Sequence, residues 1–145
     1  MSLTENFTLD EMLKSQTAIR RGIAEQFNPP AHVVQALAKL CVNILEPLRA
    51  ECGPIKVNSG YRSPKTNAAV GGAKTSQHLR GEAADIEGVN VSNATIFRKI
   101  QELKLPFDQL IWEYGTQQEP SWVHVSFSER NRRQVLYIPR HLEPK

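Results

Sequence analysis

The sequence predicts an α+β fold, with N-terminal helices packed against a central, mainly antiparallel sheet, and three observations carry that prediction. Apolar residues recur at helical spacing through most of the chain before Gly53. Beyond it come short β-branched segments of alternating polarity, the clearest two joined as a hairpin across a polar loop. One further helical pattern interrupts them without the regular strand–helix alternation of a parallel sheet. The chain has 145 residues, 40% apolar and 23% charged, so it is long enough to bury a core and is ordinary in composition. With no internal repeat, low-complexity tract or linker, it reads as a single domain over 1–145.

Thr8 and Glu11 form a capping-box pattern that starts a helix running to about Ser15, and a second helical turn follows near 19–27. Asn28-Pro29-Pro30 breaks the chain and opens the longest helix, since proline is tolerated in a first turn. Val34, Leu37, Ala38, Cys41, Leu45 and Leu48 fall on one face of it; Pro47 should kink it or shorten its last turn, and Gly53-Pro54 ends it. Ile55 to Ser59 is a short strand, left through a turn at Gly60 to Pro64. The segment 65–74 reads as a loop with a helical turn over 67–70, and 83–86 as a strand carrying Asp85. Ser92 caps a helix through about Leu103 that buries Ile96, Ile100 and Leu103. Segments 108–114 and 122–127 are the hairpin strands, and Gln134 to Ile138 adds an edge strand.

Several function classes are disfavoured by composition. No apolar run approaches the roughly 20 residues of a membrane-spanning helix. The net charge of +3 is mild, and the basic residues Arg130, Arg132, Arg133 and Arg140 lack interleaved aromatics, so no nucleic-acid partner is expected. Cys41 and Cys52 are eleven positions apart on one helical pattern. That is roughly 16 Å of rise, beyond the roughly 7 Å a disulfide can bridge. His32 and His141 have no ligand context.

The chemistry concentrates in Ser76-Gln77-His78-Leu79-Arg80-Gly81-Glu82-Ala83-Ala84-Asp85 and in the distant Trp122-Val123-His124-Val125-Ser126-Phe127. Two imidazoles and a carboxylate suit a catalytic zinc, which keeps three protein ligands and leaves a fourth position to water. Strand alternation puts Trp122, His124 and Ser126 on one face and Val123, Val125 and Phe127 on the core face. Glycine and two alanines between His78 and Asp85 let the chain turn tightly and approach a site closely.

These residues resemble the zinc D-Ala-D-Ala carboxypeptidases, a family related to D-Ala-D-Ala dipeptidases, phage L-alanyl-D-glutamate endolysins and the Hedgehog signalling domain. The motif Ser-x-His-x-x-Gly-x-Ala-x-Asp is matched by Ser76, His78, Gly81, Ala83 and Asp85, and Ser-Gly-Tyr-Arg-Ser by Ser59 to Ser63. His124 matches the downstream histidine. The resemblance implies a Hedgehog/DD-peptidase-like fold and a Zn2+ ion on His78, Asp85 and His124. It also implies that Arg62 steadies a substrate carboxylate or the developing oxyanion, and that Ser76 bonds a substrate end or a group supporting the site; Trp122 and Tyr114 are candidates either to wall the cleft beside the substrate or to pack in the core. Peptidoglycan stem peptides are the implied partner, cut next to a D-amino acid by a carboxypeptidase or an endolysin-type muralytic peptidase, and a monomer is expected. The N-terminus shows no basic patch followed by an apolar stretch. Residence in the cytoplasm until release, or action at the wall by another export route, is therefore expected.

The acid–base residue departs from the family pattern. Many relatives carry an acid two or three positions before the last histidine, where this chain has Trp122 and Ser121. Glu113 is the preferred substitute, because a charged residue inside an apolar strand requires a partner or a function. Glu119 in the polar loop is the alternative; Glu82 and Glu87 read as solvent-facing charges, and Asp108 ranks after them. The missing acid also supports a rival reading, a zinc-containing cell-wall or protein binding module without catalysis.

Overall fold

The computed structural model describes residues 1–138, so Arg140 and His141 lie outside the described residues. The predicted α+β class is what is found. Helices α1 (Leu9–Met12), α2 (Gln16–Arg21), α3 (Ala31–Leu40) and α4 (Glu46–Cys52) precede strand β1 (Ile55–Ser59). Helix α5 (Pro64–Ala69) and strand β2 (Ala83–Gly88) follow, then helix α6 (Asn93–Glu102) and strands β3 (Gln109–Glu113), β4 (Trp122–Ser126) and β5 (Gln134–Ile138). Short 3-10 turns occupy Ala24–Phe27 and Gln77–Arg80.

Local chemistry sets these boundaries. Thr8 and Glu11 close the capping box at α1, but C-capping at Leu13 ends that helix before the predicted Ser15. Ser15 then caps α2, and Gly22 ends it in the left-handed conformation at φ 64°. Of the two effects predicted for Pro47, the shortened last turn is not found: the helix passes through it to Cys52. Residues Cys41–Leu45 widen into a π-helical turn in which the Glu46 N–H reaches back to the Cys41 carbonyl. That turn absorbs the hydrogen bond and the space that a mid-helix proline denies a regular α-helix. The buried stripe also begins one residue earlier than predicted, at Val33, and runs through Leu37, Leu40, Cys41, Ile44, Leu45 and Leu48. Both cysteines are free and buried, and burial pushes the Cys41 thiol up to about 12.

The loop expected over 65–74 begins instead as α5, where Ser63 accepts from the Thr66 N–H and Pro64 occupies the first turn. Ser92 caps α6 as predicted, and Ile96 and Ile100 are fully buried.

The five strands run in the order β1-β2-β4-β3-β5, with every neighbour antiparallel except the parallel pair β3–β5. One face of the sheet carries Val57, Ala84, Ile86, Leu110, Val123 and Val125 into a core shared with Leu37, Ile44, Leu48, Ile96 and Ile100. The helices therefore cover that face, which leaves the other for the polar side chains of the same strands. Among the described residues, no helix is long and apolar enough to cross a membrane.

Candidate active site

Sheet register brings the separated sequence elements together. Ser59 pairs with Asp85, Asp85 with His124, His124 with Ile111, and Ile111 with Leu136. Directly paired residues share a face, so these side chains form one row across the sheet opposite the core. The adjacent row contains Trp122, Glu113 and Ile138. His78 reaches the first row from the 3-10 turn Gln77–Arg80, which Gly81 ends at φ 73°. A side chain at Gly81 would collide with the Val33 carbonyl at 2.8 Å, so only glycine lets this turn seat against α3.

One ligand atom each from His78, Asp85 and His124 lies within 4.8 Å of the others. The Asp85 Oδ1 is 3.4 Å from His78 Nε2 and 3.1 Å from His124 Nδ1. A tetrahedral ion with ligand bonds of about 2.0–2.1 Å needs its ligands about 3.3–3.4 Å apart. The two measured edges are close to that spacing, so the donor set fits one small divalent metal. His78 is also presented in the right form. Its Nδ1 lies 2.6 Å from the Gly60 carbonyl, which can only accept, so Nδ1 is the donor there and Nε2 is the ring atom left to face Asp85. A Cβ on Gly60 would lie 2.5 Å from the Met12 carbonyl, so this support also depends on glycine.

Electrostatics separate the two carboxyls of the site. Burial would raise Asp85, but the adjacent His78 and His124 outweigh it and hold this carboxyl well below the usual range. Glu113 is pushed up to about 7 by burial first and by the Asp85 charge second, with His124 and Arg62 opposing the rise. Such opposite shifts in one site separate a group that stays ionised from one that exchanges protons near neutrality. Burial lowers Arg62 below its ordinary value, and the charges of Asp85 and Glu113 counter this. Arg62 is thus coupled to both carboxyls.

The loop carrying Arg62 is held firmly. The fully buried Gln26 donates to the carbonyls of Leu13 and Tyr61 and accepts from the Ser63 N–H, bracketing Arg62 on both sides. The Arg62 N–H donates to the His78 carbonyl, and its Nη2 donates to Ser76 Oγ at 3.2 Å. Ser76 Oγ also accepts from the His78 N–H. Ser76 therefore braces the arginine and the ligand turn together. Arg62 Nε is buried with no hydrogen-bond partner among the described residues, as is Trp122 Nε1.

The competing acids are committed elsewhere. Glu119 accepts from the N–H groups of Asn93 and Ala94, capping α6 from the β3–β4 loop. Glu87 accepts from Asn58 and Asn93, and Glu82 from Arg80. Asp108 is fully buried and accepts from Gln77 and from three nitrogens of Arg132. The structure thus brings His78, Asp85, His124, Glu113, Arg62, Ser76 and Trp122 together and leaves Glu119 out. Sequence reasoning missed Gly60 and Gln26. The isolated polar Gln26 before Phe27-Asn28-Pro29-Pro30 offered no signal, because its three partners lie on separate segments.

Three converging ligand atoms beside a carboxyl raised toward neutrality and a cation have the arrangement of a metallohydrolase site. The chain belongs to the Peptidase M15 family, whose sequence model matches residues 5–126. It is similar to the zinc D-Ala-D-Ala carboxypeptidase of Streptomyces albus G, with 34% identity over 83 residues. That match covers 56% of this chain and 31% of the relative, so the chain spans about a third of the relative's length. Family membership bears out the resemblance read from the motifs.

Proposed function

We propose that this protein is a zinc-dependent peptidase that hydrolyses an amide bond next to a D-amino acid in peptidoglycan stem peptides. The observation that carries the reading is the convergence of His78, Asp85, His124 and Glu113 on one sheet face, with Arg62 coupled to its carboxyls. The relative's name, a zinc D-Ala-D-Ala carboxypeptidase, supports the substrate class.

His78 Nε2, Asp85 Oδ1 and His124 Nδ1 would hold the ion. When bound, zinc supplies Lewis acidity, lowering the pKa of a coordinated water to about 7 and polarising the scissile carbonyl. The Glu113 carboxylate takes one proton from the attacking water as its oxygen adds to the carbonyl carbon. Glu113 then returns that proton to the leaving nitrogen as the C–N bond breaks, so it ends the cycle ionised. A carboxyl pushed up to about 7 suits both transfers at neutral pH. Arg62 offers its guanidinium to the negative charge developing on the carbonyl oxygen or to a substrate carboxylate. Trp122 walls the floor beside Glu113, and Ser76 holds Arg62 in place.

The test is digestion of purified peptidoglycan, followed by quantifying newly exposed amines and released peptides. Native protein should release them, a chelator should stop the release, and added zinc should restore it. Glu113→Gln should lose at least about 100-fold, the usual scale of general acid–base catalysis. Zinc binding without cleavage of any wall peptide would overturn the reading in favour of a binding module.

A further inference from the structure

Asp108 is a fully buried acid with no part in the proposed hydrolysis. Its Oδ1 accepts from the Arg132 N–H at 2.8 Å and from Arg132 Nε at 2.9 Å. Its Oδ2 accepts from Arg132 Nη2 at 2.7 Å and from Gln77 Nε2 at 2.9 Å. The bonds from Arg132 hold the carboxyl well below the usual carboxylate range, so it exchanges no proton near neutrality. Turning both main chain and guanidinium toward Asp108 requires unusual backbone: Asn131 and Arg133, on either side of Arg132, have φ of 42° and 51°. Non-glycine residues enter that region at a cost and stay there only where the surroundings enforce it. A buried ion pair adds little net stability over an apolar contact, so what this one fixes in place matters more than its energy.

Asp108 joins two of the segments that carry the candidate ligands. Gln77 opens the 3-10 turn that presents His78, and its own carbonyl accepts from the Glu82 N–H. The Asp108 N–H donates to the carbonyl of Ser126, two residues beyond His124 at the end of β4. We propose that Asp108 is a positioning residue for the metal ligands: its carboxylate, aimed by Arg132, ties the turn of His78 to the strand of His124 through Gln77. The inference rests on the reading of His78, Asp85 and His124 as ligands of one ion. Gly60 and Arg62 hold the same turn from the other side, through the His78 ring and carbonyl. Gln77 is buried, and its remaining side-chain bond is a long one, 3.4 Å to Glu82 Oε1 inside the same motif. Asp108 is therefore the anchor that Gln77 finds outside the motif. Ligand bonds of about 2.0–2.1 Å tolerate little error, and a turn free to rock by about 0.5 Å loses the geometry a metal needs.

The test compares zinc affinity, by competition with a chromophoric chelator, and the visible spectrum of the cobalt(II)-substituted protein. Gln77→Met keeps the side-chain length and removes the donor to Asp108. Gln77 Oε1 is buried with no partner among the described residues, so losing the amide should cost little stability. Zinc affinity should nevertheless fall about 10–100-fold, the usual scale for groups that orient metal ligands, and the cobalt spectrum should change. Gln77→Lys, which restores a donor to the Asp108 carboxylate, should recover most of that loss. Glu119→Ala uncaps α6 and lowers stability away from the turn, yet should keep native zinc affinity and the native cobalt spectrum. Should Gln77→Met not fold, Arg132→Lys decides by the same two readouts, because lysine cannot reproduce the paired guanidinium bonds that aim Asp108. Native zinc affinity together with a native cobalt spectrum in the deciding variant overturns the positioning role and leaves the peptidase reading standing. Weakened zinc binding in that variant, with no cleavage of wall peptides by the native protein, overturns the peptidase reading and leaves the role standing. A native protein that binds no zinc overturns both.

Discussion

Replacing Glu113 by glutamine should abolish activity and also stabilise the metal-free protein at alkaline pH. The carboxyl is pushed up to about 7 in the folded chain from an ordinary 4.5, by burial and by the charge of Asp85. A folded-state value raised above the unfolded one means that the folded protein binds the proton more tightly. The native chain therefore keeps its full stability below pH of about 4.5, loses part of it as pH rises toward about 7, and then levels off. The shift corresponds to roughly 3 kcal/mol at most, and because Glu113 is only partly buried, solvent screening reduces this to about 1–2 kcal/mol. Glutamine carries no proton to lose, so the variant escapes this decline. Thermal unfolding of chelator-treated protein at pH 5 and pH 8 measures it. The variant's advantage should grow between the two pH values by roughly 3–8 °C for a chain of this size. Parallel pH–stability curves for the two proteins would refute the placement of Glu113 as a partly buried carboxyl beside the Asp85 charge.

Other expectations follow from the same geometry. Peptidase activity should fall as pH drops and Glu113 takes up its proton, with an acid limb at or below about 7, because zinc at the ligands favours the ionised form. A pH–kcat/KM profile checks this, and a flat profile from pH 5 to 8 would count against Glu113. Glu119→Ala should cost about 1 kcal/mol through lost capping of α6 and should largely retain activity, which separates it from Glu113. Arg62→Met should lower kcat/KM by about 10²–10³-fold if the guanidinium meets developing charge. Gln26→Leu, by releasing the backbone around Arg62, should cost about 1–3 kcal/mol of stability and reduce kcat/KM as well. Denaturant unfolding and initial rates on the same preparations distinguish these outcomes.

Much of this fold is legible in local sequence because local chemistry decides it. The Thr8–Glu11 box and the Ser92 cap are satisfied by backbone within one turn, and the Val123–Val125 alternation fixes which way His124 points. The candidate ligands are legible for a related reason: His78 and Asp85 belong to one short motif, and His124 sits on a strand whose facing follows from its neighbours. Other features depend on partners distant in sequence. The π-helical turn before Pro47 reflects packing of a long helix that loses less by widening than by ending. The support of His78 by Gly60, and the locking of the Arg62 loop by Gln26, join segments that no sequence spacing relates. Glu113 stands out over Glu119 in the strand pattern alone, whereas the capping of α6 that occupies Glu119 joins segments distant in sequence.

The most direct test of the central claim is a crystal structure of the protein grown with zinc. The account predicts one ion bound by His78 Nε2, Asp85 Oδ1 and His124 Nδ1 at about 2.0–2.2 Å, with the Glu113 carboxyl facing the open position. Zinc bound by other residues, or held by these three with Glu113 turned away from it, would contradict the account.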